Sequence, residues 1–104
     1  MSYKSRLEDA KVNLELILKH RESYGKGIIE RYAIERAFMI VGEAMRVLNN
    51  KYKVDWNEYS NMIRMSDFID HQYTEIDYGI VIDTITYELP SLLKLINKMI
   101  KELK

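Results

Sequence analysis

The chain has 104 residues, 47% hydrophobic and 31% charged, a length and balance that suit one helical or mixed domain with a single core. Sixteen basic and sixteen acidic residues cancel, which excludes a strongly basic, non-specific polyanion binder but leaves room for a small local basic site. There is no cysteine, so a structural disulfide and a thiolate metal centre are both excluded.

The N-terminus, MSYKSRLEDAK, is charged and lacks an apolar signal core, and the longest apolar run, Ala37 to Val41, is too short to span a bilayer. The expectation is a cytoplasmic protein with no membrane association. One proline and four glycines leave few breaks, which favours helices. From about Tyr3 to Tyr24, Leu7, Ala10, Leu14, Ile17 and Leu18 recur at three and four residues and form one helical stripe. Gly25 and Gly27 are the expected stop.

A second helix is predicted from about Ile28 to Tyr52. Ala33, Ala37, Ile40, Val41, Ala44 and Leu48 line one face, and Ile34, Phe38, Met45 and Tyr52 form a strip beside it. So wide an apolar arc calls for neighbours on more than one side, from this chain or from a second copy. Gly42 costs about 1 kcal/mol of helix propensity relative to alanine, so close packing is expected to offset it. Asp55 and Glu58 then form a capping-box pattern that opens a shorter helix, with Trp56, Tyr59 and Ile63 facing inward.

The last segment holds a conflict. Gly79 to Tyr87 is rich in β-branched residues, as strands are. Yet Tyr78, Val81, Ile82, Ile85 and Leu89 keep helical spacing, and Leu92, Leu93, Ile96 and Met99 continue it. A lone strand would have no partner, so helix is the reading, with Pro90 beginning a new turn or a kink. Lys94, Lys98 and Lys101 fall on the exposed side. The fold class is all-α: an up-and-down four-helix bundle with an additional short helix, forming a single domain over residues 1–104.

Chemistry concentrates in MIRMSDFIDHQY, residues 62–73. On a helix each residue turns about 100°, so Arg64, Asp67 and His71, at i, i+3 and i+7, share one face. Asp67 is a turn from each of the others and can orient His71 while pairing with Arg64. An imidazole near neutral pKa, a fixed cation and an orienting carboxylate can together run acid–base chemistry on a phosphodiester. The bland alternative is a surface Arg64–Asp67 pair with His71 as a polar helix-end residue. No histidine and carboxylate spacing specifies a metal site, and Gly25-Lys26-Gly27 is a turn rather than a phosphate loop. His20, beside Arg21, reads as a solvated cation at a helix end.

The order Asp67-Phe-Ile-Asp-His71-Gln-Tyr73, Ile76-Asp77 and Leu89-Pro90-Ser-Leu92, with Glu35-Arg36-Ala37 and Val41-Gly42-Glu43-Ala44 before it, resembles the HepT-like branch of the HEPN superfamily over roughly Leu7 to Ile100. The resemblance implies a HEPN-like helical bundle that forms a homodimer, with Arg-x(4–6)-His motifs of two subunits facing one cleft. It implies a metal-independent endoribonuclease without a cofactor, the toxin of a toxin–antitoxin pair. The antitoxin would be a minimal nucleotidyltransferase able to adenylylate the motif tyrosine, here Tyr73. One position departs from the branch's usual Arg-x4-His-x-Tyr. Ser66 stands where the arginine is expected, and the nearest arginine, Arg64, gives Arg-x6-His. That shift turns the guanidinium by about 200° and moves it about 3 Å along the helix. Two outcomes therefore follow from the resemblance: an RNase using Arg64, His71 and Asp67, or an inactive HEPN dimer serving as a binding or regulatory partner of the nucleotidyltransferase.

Overall fold

A computed structural model describes residues 3–49, 62, 64, 66 and 78–103. Every element among them is helical, and the architecture is the expected all-α bundle. Helix α1 spans Tyr3–Lys19 and buries Leu7, Ala10, Leu14 and Ile17, the stripe set by the sequence spacing. It ends earlier than Tyr24. His20, at φ −112° and ψ 18°, leaves the α region, and a 3-10 turn follows over Arg21–Ser23. The glycines therefore come after the helix end rather than causing it. The tightened turn tucks Tyr24 into the core instead of continuing along α1.

Helix α2 spans Ile28–Asn49. Its first turn is tied to the preceding loop, where the Arg31 amide donates to the Gly27 carbonyl at 3.0 Å. Ile34, Ala37, Phe38, Val41, Ala44, Met45 and Leu48 are buried. Ala33, assigned by spacing to the core face, is exposed. The inward arc is centred on the larger Ile34, Phe38, Val41 and Met45, and a methyl side chain at its margin has too little apolar area to rotate the helix. Phe38 and Met45 are covered within one chain, at 1% and 2% exposure, so this arc does not itself require a second copy. Tyr52, the Asp55 cap and the inward set Trp56, Tyr59 and Ile63 lie outside the described residues.

The C-terminal segment settles the strand-or-helix conflict in favour of helix. Helix α3, Tyr78–Asp83, passes through a π-helical turn, Thr84–Glu88, into helix α4, Leu89–Glu102. Pro90 sits in the first turn of α4. Its ring excludes the ordinary bond to a carbonyl four residues back, and widening the preceding turn relieves the clash. Thr84 adds to the distortion by donating its hydroxyl to the Ile80 carbonyl at 2.7 Å. Val81, Ile85, Leu89, Leu92, Ile96 and Met99 are buried, and Lys94, Lys98 and Lys101 are exposed. Among the described residues, helices α2 and α4 both pack on α1, which lies between them. No helix among the described residues is long and apolar enough to cross a membrane.

Candidate functional site

Three residues of the chemically dense stretch are described, all with helical backbone: Met62, Arg64 and Ser66. Met62 and Ser66, four apart, both point inward, at 0% and 1% exposure. Arg64 lies between them in sequence and is exposed. The half-turn offset expected from the sequence is thus visible: Arg64 and Ser66 leave their helix in opposed directions. Asp67, His71 and Tyr73 lie outside the described residues.

Ser66 meets α2 at Gly42. A Cβ at Gly42 would overlap Ser66 Oγ and lie 2.5 Å from Ser66 Cβ. This is the close approach that the mid-helix glycine predicted. The same segment is tied to the C-terminal helices, where the Met62 amide donates to Glu88 Oε1 over a long 3.5 Å. Glu88 belongs to the π-helical turn and is buried.

A hollow of about 330 Å³ opens beside Ser66, lined by Arg36, Met39, Ile40, Glu43, Arg46 and Ser66. A second depression of about 370 Å³ continues past Ile40 and Glu43 to Arg6, Asp9 and Asn13 of α1. Glu43 stands on the ridge between them and pairs with Arg6 at 3.1 Å. Sequence spacing did not bring Arg36 and Arg46 to Ser66. They are far from it along the chain, and the signal that could have found them was Gly42, which marks where another backbone crosses α2.

At the other end of α2, Glu35 Oε1 accepts hydrogen bonds from Tyr24 Oη at 3.5 Å and Arg31 Nε at 3.3 Å. The Arg31 guanidinium also lies 5.8 Å from the Tyr24 ring centre. Burial, helped by the Glu35 charge, pushes the Tyr24 phenol above its ordinary value. The hydrogen bond to Glu35 holds Arg31 above its own. This cluster joins the α1–α2 turn to α2. Among the described residues, no group of three histidine, cysteine or carboxylate side chains can hold a metal ion.

An all-helical bundle with a glycine-seated crossing beside a hollow lined by Arg36 and Arg46 names no activity by itself, and sequence comparison gives the family. The chain belongs to the HepT-like ribonuclease family, whose model, described as "Ribonuclease HepT-like", matches residues 8–99. A Thermococcus cleftensis protein named "Probable ribonuclease HepT" is 32% identical over 101 residues, covering 88% of this chain and 89% of its own length. Two Methanocaldococcus jannaschii proteins, each named as a candidate RNase, are 30% and 33% identical over 76 and 69 residues, covering 71% and 62% of this chain. The matched region spans 66% and 61% of those two relatives, a little under two thirds of their length. No solved structure matches the chain.

Proposed function

We propose that this protein is a metal-independent endoribonuclease and the toxin of a cytoplasmic toxin–antitoxin pair, working as a homodimer. The observation that carries the reading is the family match across residues 8–99, together with relatives named as ribonucleases. The exposure of Arg64 supports it, because a phosphate-binding guanidinium must reach solvent. In this reading His71 takes the proton from the RNA 2′-hydroxyl. The 2′-oxygen attacks phosphorus, the bond to the 5′-oxygen breaks, and the leaving oxygen is protonated by the second imidazolium of the dimer cleft. The products are a 2′,3′-cyclic phosphate and a 5′-hydroxyl. Arg64 binds the phosphate and stabilises its growing charge, Asp67 orients the pair, and Tyr73 is the residue that a minimal nucleotidyltransferase antitoxin modifies.

A specific observation favours a second reading. Ser66, at the position where the resemblance expects an arginine, is 1% exposed and seated on Gly42. A chain that has given this position to packing suits an inactive HEPN dimer that binds or regulates a nucleotidyltransferase. The two readings separate in one assay: purified protein on mixed cellular RNA in a chelator, beside His71→Ala and Arg64→Ala. RNA loss that both substitutions abolish establishes the nuclease. Cleavage that survives His71→Ala removes it, and an intact dimer without turnover selects the binding module.

A further inference from the structure

We infer that the exposed face of α2 is a track for single-stranded RNA, with Tyr32 as a base-stacking platform and Arg36 and Arg46 as phosphate contacts on either side of the Ser66 hollow. The inference rests on the ribonuclease reading for its substrate class and adds residues outside the motif stretch. Tyr32 is 63% exposed, and Ile29, one turn before it, is 81% exposed. A tyrosine ring and an isoleucine held in water at the start of a helix form an apolar patch that the fold does not use. Arg36 is one turn beyond Tyr32 on the same face and is exposed. Arg36 and Arg46 both line the hollow of about 330 Å³, whose floor is Ser66 with half-buried Met39 and Ile40. The carboxylate among these lining residues, Glu43, is engaged by Arg6 at 3.1 Å, which lowers its repulsion of an anion.

From Tyr32 to Arg46 the helix rises about 21 Å, the length of about six stacked nucleotides. Aromatic platform, cation, apolar-floored hollow and second cation in a line are what unpaired nucleic acid requires, since every base offers a π face and every linkage a charge. The zero net charge fits a short local track rather than a basic surface. A protein partner would use the isoleucine and tyrosine but has less need of two arginines around a hollow.

The test separates binding from cleavage by using a fluorescein-labelled 2′-O-methyl oligonucleotide, which lacks the attacking hydroxyl. Fluorescence anisotropy reads the affinity for a strand of about a dozen nucleotides. Tyr32→Ala is expected to weaken binding roughly 5- to 150-fold, and Tyr32→Phe to restore it where Tyr32→Leu does not. The Arg36→Gln/Arg46→Gln pair is expected to reduce the salt slope of log K by roughly 1.4. The same sequence as a duplex should bind more weakly. Binding that depends on these residues without any RNA cleavage leaves the track in place and removes only the nuclease. Three results overturn the track: no binding by the wild type, variants that bind with unchanged affinity and slope, or a Tyr32→Ala protein that becomes monomeric while binding as before. The last would assign this face to subunit contact.

Discussion

Replacing Gly42 with alanine sets two physical effects against each other. In an exposed helix interior the change gains about 1 kcal/mol. Here the new Cβ would stand 2.5 Å from Ser66 Cβ, where ordinary contact begins at 3.4 Å. The segment carrying Met62 and Ser66 must then retreat from α2 by roughly 1 Å, and overpacking of this kind costs about 1–3 kcal/mol. The expected net result is a loss of about 0–2 kcal/mol. The sharper expectation lies in the cycle. In a Ser66→Gly background both clashing atoms are gone, so Gly42→Ala should there show its intrinsic gain, with a coupling of about 1–3 kcal/mol between the sites. Urea unfolding of the four proteins at one fixed concentration measures it, the fixed concentration keeping any dimer linkage constant. A gain of about 1 kcal/mol in both backgrounds, with no coupling, would refute the crossing at Gly42.

Ser66→Arg should lower stability by at least about 2 kcal/mol, because a guanidinium cannot occupy a 1% exposed seat against Gly42; thermal unfolding checks this, and a variant as stable as wild type would show that the side chain escapes through the hollow. Leu14→Ala, at a fully buried position in the middle helix, should cost about 2–5 kcal/mol by denaturant unfolding. Tyr24 gives a pH signature. Below its ordinary value of 10.0 both folded and unfolded chains hold the phenol proton, so its contribution is complete; above that, the unfolded chain releases the proton first, and stability falls until pH passes the raised folded value. The stability difference between wild type and Tyr24→Phe should therefore be flat up to about pH 10 and then shift against the wild type. A difference that shifts in favour of the wild type on going alkaline would mean that Glu35 and burial do not act on this phenol as described.

The helices were legible because their cores repeat at helical spacing. Leu7, Ala10, Leu14 and Ile17, and likewise Val81, Ile85, Leu89, Leu92, Ile96 and Met99, are buried stripes that the residue spacing alone announces. The residues that misled did so locally. Ala33 sits at the margin of an arc where a methyl group carries little weight, and the α1 terminus is decided by His20 rather than by the glycines after it. The π-helical turn was only half visible. Pro90 announced a break, but whether a proline kinks, ends or widens a helix depends on what packs around it. At the candidate site, the offset of Arg64 from the usual motif position followed from helix geometry alone. That Ser66 is spent on contact with Gly42, and that Arg36 and Arg46 gather round it, follows from a crossing of distant segments that no local pattern encodes.

The π-helical turn also bears on how the buried stripe is kept in phase along the C-terminal helices. The buried positions Val81, Ile85, Leu89, Leu92, Ile96 and Met99 are separated by four, four, three, four and three residues. Those five intervals average 3.6 residues, the period of a regular α-helix, so the buried stripe runs through the widened turn without leaving the core. The turn over Thr84–Glu88 is thus absorbed without moving either flank off that face. Pro90 favours keeping it, because its ring would meet an unwidened turn if the helix were regular there. A regular helix through this stretch would therefore call for another residue in place of the proline.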